Sequence, residues 1–187
     1  SYKWMCDEFS KEQLEFYRTG SYRRNSFKEA YEEVYSNPFI MKNYMRGLLI
    51  SSIFWANHAS SYTYFIRSFL TRLPDNFNYL EIGPGHGLFL TLAAREKLCN
   101  SITALDVSED SIKETRNASN VLGIKKPINI ILGDIQRIAK ISSKKYEAIV
   151  ISEVLEHLEE PIQALRNLKT SLTFNGKLFV NVPINSP

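Results

Sequence analysis

The residues best suited to chemistry stand together in Tyr79-Leu80-Glu81-Ile82-Gly83-Pro84-Gly85-His86-Gly87, an apolar run that ends in an acid and passes into three alternate glycines. Glycine tolerates positive φ and lets a ligand approach the backbone, and a helix starting near Leu88 would offer its unpaired N–H groups to a polar or anionic group. A dinucleotide fingerprint, G-x-G-x-x-G, would need glycine at position 88, where the chain has leucine; the pattern is G-x-G-x-G, which weighs against a nicotinamide-dependent oxidoreductase. The next apolar run ends in Asp106, whose carboxylate can accept two hydrogen bonds from the hydroxyls of a ribose. Ser108 is free to cap the helix that follows. A third run ends in Gly133-Asp134-Ile135, where an acid at a strand tip suits an exocyclic amine such as that of adenine, or serves only as a turn residue. A fourth ends in Ser152-Glu153-Val154-Leu155-Glu156-His157. An imidazole there titrates near neutral pH and could take a proton from a hydroxyl, although Glu156 and His157 could equally do no more than order the loop and cap the next helix.

Such residues must be carried on a particular scaffold. Short runs rich in Ile, Val, Leu and Phe predict strands at 79–82, 102–106, 128–132, 148–152 and 177–182, with helices at 88–97, 109–122 and 161–172 between them. The last helix carries Ile162, Leu165, Leu168 and Leu172 as a stripe, with Pro161 in its first turn after Glu159 and Glu160, where proline and acidic charge are favoured. Alternation of strand and helix with right-handed crossovers predicts an α/β, doubly wound, mainly parallel sheet, with its ligand crevice at the carboxyl ends of the strands. Residues 1–76 read differently. They are helical and aromatic-rich, with a break at Gly20-Ser21 and a start at Asn37-Pro38, and form a cap before a sheet domain at 77–187. Its aromatic side chains suit hydrophobic cover for the sheet edge and for one another.

The order E-I-G-P-G-H-G, A-L-D-V-S, G-D-I and Y-E-A-I-V-I-S-E-V-L-E-H-L-E-E-P over residues 77–187 resembles the class I S-adenosylmethionine-dependent methyltransferases. The segment 152–158 is most similar to the branch of ubiquinone-biosynthesis and other small-molecule O- and N-methyltransferases. The resemblance implies a Rossmann-like fold and S-adenosyl-L-methionine as methyl donor, leaving S-adenosyl-L-homocysteine. It implies that Glu81, Gly83, Gly85 and Gly87 flank the methionine end, Asp106 holds the ribose and Asp134 with Ile135 borders the adenine, with Val107 and Glu153 as further cofactor-binding residues. In similar families the amino-terminal helices also lie over the cofactor as a lid, where aromatic walls suit adenine and a cationic sulfonium, and Tyr17 and Tyr22 beside the break are the leading lid residues. His157 is then the candidate general base, and a small-molecule oxygen or nitrogen the methyl acceptor. A non-catalytic cofactor-binding protein of the same fold is the alternative. The spacing E-x-x-E-H also resembles small-RNA 2′-O-methyltransferases, which imply a metal held with a further histidine; no histidine follows His157 in this sequence, so no metal is expected.

Composition bounds these expectations. A chain of 187 residues, 44% hydrophobic and 23% charged, belongs with ordinary globular proteins. Its net charge of +3 is spread along the chain, with the pairs Arg23-Arg24, Lys125-Lys126 and Lys144-Lys145 isolated, which suits a solvated surface better than a nucleic-acid face. Cys6 and Cys99 form no ligand or disulfide pattern and point to free thiols in a cytoplasmic protein. The most apolar stretch, 48–56, is too short to span a membrane and reads as a buried helix. Class I methyltransferase sheets have seven strands and five are readable here, so the resemblance implies a chain that stops before two strands and a helix. The edge strand left uncovered would make a homodimer one remedy.

Overall fold

A computed structural model describes residues 1–21, 37–138 and 143–183. Among the described residues the chain leads with α1 (Tyr2–Thr19), α2 (Pro38–Phe54) and α3 (Ala56–Tyr64), the last running on through a π turn at Phe65–Phe69 and a 3-10 turn at Leu70–Arg72. Their ends obey local rules. Gly20 closes α1 in the left-handed region at φ 76°, and the Asn37 side chain accepts from the N–H groups of Phe39 and Ile40 with Pro38 behind it.

The rest alternates: β1 (Phe77–Ile82), α4 (Leu88–Arg95), β2 (Cys99–Asp106), α5 (Glu109–Val121), β3 (Ile128–Leu132), β4 (Tyr146–Ser152), α6 (Pro161–Ser171) and β5 (Leu172–Asn181). Among the described residues these strands form one wholly parallel sheet in the order β3-β2-β1-β4-β5, the doubly wound Rossmann-like fold expected from the sequence. The order reverses between β1 and β4, so the crevice of the sheet opens where these two strands end.

Period-two alternation sorts the side chains of the central strands onto two faces. Tyr79, Ala148 and Val150 join one buried cluster with Phe89 and Phe179; Leu80, Ile82, Ile149 and Ile151 join another with Ala164 and Leu168 of α6. Phe65, Phe69, Leu70 and Leu73 belong to the first cluster, so the chain on the amino-terminal side of residue 76 is packed directly onto the sheet.

Three local expectations change. β1, β2 and β4 begin two or three residues early, at Phe77, Cys99 and Tyr146, whose side chains are buried. β5 starts at Leu172, directly after α6, rather than at Lys177. It opposes Tyr146, then skips to pair Lys177 with Ala148, and the extra residues bulge outward with Phe174 fully exposed. The apolar stretch 48–56 is not a buried helix throughout: α2 buries Met41, Met45, Gly47, Ser51 and Ser52 and leaves Ile53 and Phe54 exposed. Packing of α2 against α1, with Met5 over Gly47, chooses the face. No helix of the described residues is long and apolar enough to cross a membrane.

Candidate active site

The turn after β1 is shaped by backbone conformation. Gly83, Gly85 and Gly87 all have positive φ, at 61°, 52° and 71°. A Cβ on Gly83 would lie 2.5 Å from Val154 Cγ2, and one on Gly85 would lie 3.2 Å from Met45 Sδ, so the turn is held closely between the loop after β4 and helix α2. Gly87 differs from them. Its N–H donates to the Pro84 carbonyl at 2.7 Å, it precedes α4, and a Cβ there would press on Thr115 of α5.

A cavity of about 610 Å³ opens above this turn. The structure brings Glu81, Gly83, Gly85, Asp106, Val107, Asp134, Ile135, Glu153 and His157 to its wall, whereas Gly87 stays behind the turn. Glu81, only 2% exposed, accepts a hydrogen bond of 2.7 Å from the Tyr79 hydroxyl. Burial pushes its carboxyl up to about 8, the Tyr79 hydrogen bond opposing that rise. Asp106 is also buried. Its Oδ1 accepts from the Ser108 N–H at 2.9 Å and its Oδ2 from the Ser111 hydroxyl at 2.5 Å, which aims the carboxylate at the start of α5, while Ser108 caps that helix by accepting from Ser111 N–H. Burial raises the Asp106 carboxyl from its ordinary range. Asp134 accepts from the Gln136 N–H at 2.8 Å at the head of a 3-10 turn, Ile135–Arg137, so here the aspartate shapes its turn while lining the cavity.

The fourth group depends on strain. Glu153 sits at φ 54°, a conformation costing on the order of 1–3 kcal/mol for a residue with a side chain. Asn181 of β5 holds it there, accepting from the Glu153 N–H at 2.9 Å and donating its side-chain amide to Glu153 Oε1 at 2.8 Å. A 3-10 turn, Leu155–His157, follows, with His157 Nε2 3.9 Å from Glu156 Oε1. Desolvation lowers the His157 imidazole and pushes the Glu156 carboxyl up to about 7. Among the described residues no three His, Cys, Asp or Glu side chains gather as a metal ion would require.

The other wall is built by the amino-terminal helices. α2 contributes Met41, Tyr44, Met45 and Leu48, and α3 contributes His58, Ser61 and Tyr62. The residues expected to form a lid are not among these. Tyr17 is 75% exposed and lies away from the cavity, because its side of α1 faces solvent; Tyr22 is outside the described residues. His86 is not among the residues that sequence pattern marks for a role of its own. It is half-buried, its Nδ1 accepts from the Leu88 N–H at 3.2 Å, and its Nε2 therefore carries the proton and faces the Tyr62 hydroxyl at 3.4 Å. Burial lowers His86 to about 4. The Tyr62 ring stacks on Phe89 with centroids 4.2 Å apart. For the helical wall the one signal in the sequence is the spacing of His58, Ser61 and Tyr62 on one helix face, which by itself reads as a solvated stripe.

Comparison with known proteins adds a family. Residues 54–187 match the family described as methyltransferase domain. The ubiquinone biosynthesis O-methyltransferase of Xanthomonas axonopodis pv. citri is 26% identical over 114 residues, covering 61% of this chain and 46% of that protein. A candidate S-adenosyl-L-methionine-dependent methyltransferase from Methanococcus maripaludis has a similar structure, with a TM-score of 0.60 at 21% identity, over 86% of this chain and 66% of that one. Coclaurine N-methyltransferase, solved with N-methylheliamine and S-adenosylhomocysteine, gives 0.55 at 25% identity, over 67% and 34%. The chain spans less than half the length of the curated relatives it matches, 46% of the first.

Proposed function

The chain belongs to the methyltransferase-domain family, and from that premise we propose that it binds S-adenosyl-L-methionine in the cavity above the glycine turn and transfers a methyl group to an oxygen or nitrogen of a small molecule. One observation carries this reading. The strand-tip groups Glu81, Asp106 and Asp134 share a single cavity with Glu153 and His157, at the point where the strand order reverses.

The residues fit the donor. Gly83 and Gly85 form a floor that a Cβ would obstruct, which suits close approach of the methionine portion. Asp106 reaches the cavity with acceptor capacity for the ribose, and Val107 and Ile135 offer apolar contact beside it. When bound, the donor supplies a methyl group already activated by a positively charged sulfur. The protein then has to align the two partners and receive a proton. His157 is suited to receive it, because desolvation keeps its imidazole neutral with a lone pair to accept the proton, and Glu156 Oε1 stands 3.9 Å from its Nε2. A mainly apolar helical wall with no Lys or Arg among the described lining residues suits a small acceptor rather than a phosphate backbone. Cys6 and Cys99, both free thiols, accord with a cytoplasmic setting.

Calorimetry with S-adenosylhomocysteine and with NAD tests the donor, and binding of NAD alone would overturn it. An acceptor screen of phenols, amines, carboxylates and RNA tests the transfer. His157→Ala should keep S-adenosylhomocysteine affinity and lower turnover by roughly 10²–10⁴; unchanged turnover would remove His157 from the proton transfer, and donor binding without turnover on any acceptor would favour a cofactor-binding protein.

A further inference from the structure

Strand β1 carries a tyrosine that core packing alone does not call for. Tyr79 is fully buried in one cluster with Phe89, Ala148, Val150 and Phe179, where a phenylalanine would fill nearly the same space with no hydroxyl to satisfy. That hydroxyl donates to Glu81 Oε2 at 2.7 Å. Residues two apart on a strand point the same way, so Tyr79 stands beside Glu81 and one step further from the strand tip.

The bond gives the two oxygens of the Glu81 carboxyl different surroundings. Oε2 is tied to the core by Tyr79. Oε1 has no hydrogen-bond partner among the described residues, yet it is not closed off as the partnerless Ser61 and Thr91 hydroxyl oxygens are, so it keeps access to the cavity that Glu81 lines. Across the sheet Glu81 is paired with Ala104 and Val150, which carry no charge. Helix α3 brings Tyr62 and the glycine turn brings His86, both kept neutral by desolvation. The acids Asp106, Asp134 and Glu153 on the same wall are held by donors of their own, and no Lys or Arg is among the described lining residues. Glu81 therefore presents one oriented acceptor at the glycine turn with no cation of the chain beside it.

We infer that Tyr79 is a positioning residue for the methyl donor: its hydroxyl holds the Glu81 carboxylate so that Oε1 receives the α-ammonium group of S-adenosyl-L-methionine. The donor and its product share this cation, and it lies near the glycine turn when the methionine portion does. Without a ligand, burial keeps the Glu81 carboxyl protonated at neutral pH, its value standing at about 8. The arriving ammonium favours the ionised form, and the proton leaves to solvent. Tyr79 assists that step, because a hydrogen bond to the charged carboxylate is stronger than one to the neutral acid and opposes the effect of burial. The inference rests on the reading of this cavity as a site for S-adenosyl-L-methionine, and concerns its methionine end.

The test is calorimetric titration of the full chain with S-adenosylhomocysteine and with 5′-methylthioadenosine, which keeps the adenosine and the sulfur but lacks the amino acid. Tyr79→Phe, which preserves the ring, should weaken S-adenosylhomocysteine about tenfold and leave 5′-methylthioadenosine within about twofold, whereas a general disturbance of the core would weaken both. Glu81→Gln should weaken S-adenosylhomocysteine at least as much, and adding Tyr79→Phe to it should change nothing further, because the hydroxyl acts only through the carboxylate. In the parent chain, affinity for S-adenosylhomocysteine should rise with pH and level off near the Glu81 value of about 8. That plateau should move upward in Tyr79→Phe, and the rise should vanish in Glu81→Gln. Unchanged affinity in Tyr79→Phe would overturn the inference, as would equal losses for both ligands or additive losses in the double variant. A parent chain that binds no S-adenosylhomocysteine would overturn the donor reading itself, and this inference with it.

Discussion

The two walls of the cavity are made by different means. The strand-tip wall consists of backbone turns at the ends of parallel strands, where position is set by the sheet and residue type is narrowly constrained: Gly83 can be nothing larger, and Glu153 is strained into its place by Asn181. The helical wall consists of side chains on α2 and α3, ordinary helix residues whose importance comes only from what they face. A cavity of this kind combines a wall intolerant of change with one that can be altered residue by residue.

The largest expected effect tests the intolerant wall. Gly83→Ala combines a positive φ with a Cβ 2.5 Å from Val154, and should cost about 3 kcal/mol or more of stability and abolish S-adenosylhomocysteine binding; denaturant unfolding with a near-native midpoint would show that the turn is less constrained than its geometry. Asp106→Asn keeps the shape and removes the charge, and should weaken S-adenosylhomocysteine roughly 10- to 100-fold by calorimetry. An equal loss on the helical side from Met45→Leu would erase the distinction between the walls.

The Glu81 carboxyl gives a pH-dependent effect of intermediate size. Its folded value of about 8 lies above its ordinary 4.5, so between those limits the folded state holds a proton that the unfolded state has released. Stability then falls as pH rises, by at most about 1.4 kcal/mol per unit. His86, lowered to about 4 from 6.5, acts with the opposite sign below 6.5, so the Glu81 slope shows most clearly between about 6.5 and 8. Thermal unfolding of Glu81→Gln should lose most of that slope and be more stable than the parent at pH 8. Glu156, raised to about 7, adds a smaller slope of the same sign that the variant keeps. The smallest effect is expected at Tyr17, exposed and away from the cavity: Tyr17→Ala should change stability by less than about 0.5 kcal/mol and leave ligand binding alone.

Legibility in the sequence divides along the same line. The five strands, the glycine turn and the acids at the strand tips can be found from local pattern, because a parallel sheet requires continuous apolar runs and tight turns leave glycine in the sequence. The strand starts at Phe77, Cys99 and Tyr146 escape such a reading because residues there are fixed by register against a neighbour. Asn175-Gly176 is a local sign of an irregularity, but a bulge rather than a turn exists only because β5 pairs with β4 on both sides of it. Tyr17 attracts attention for its place beside a break, whereas the orientation of α1 puts it outside.

What the sequence by itself determined was the order of elements and the chemistry of the strand-tip wall, since both are written in residues whose conformational or charge requirements are local. What only the tertiary structure decided was the opposite wall. Which face of α2 and α3 meets the cavity, and why Gly87 stands behind the turn while Gly83 and Gly85 border it, both depend on how helices pack across a sheet, and packing is a relation between segments that no single segment contains.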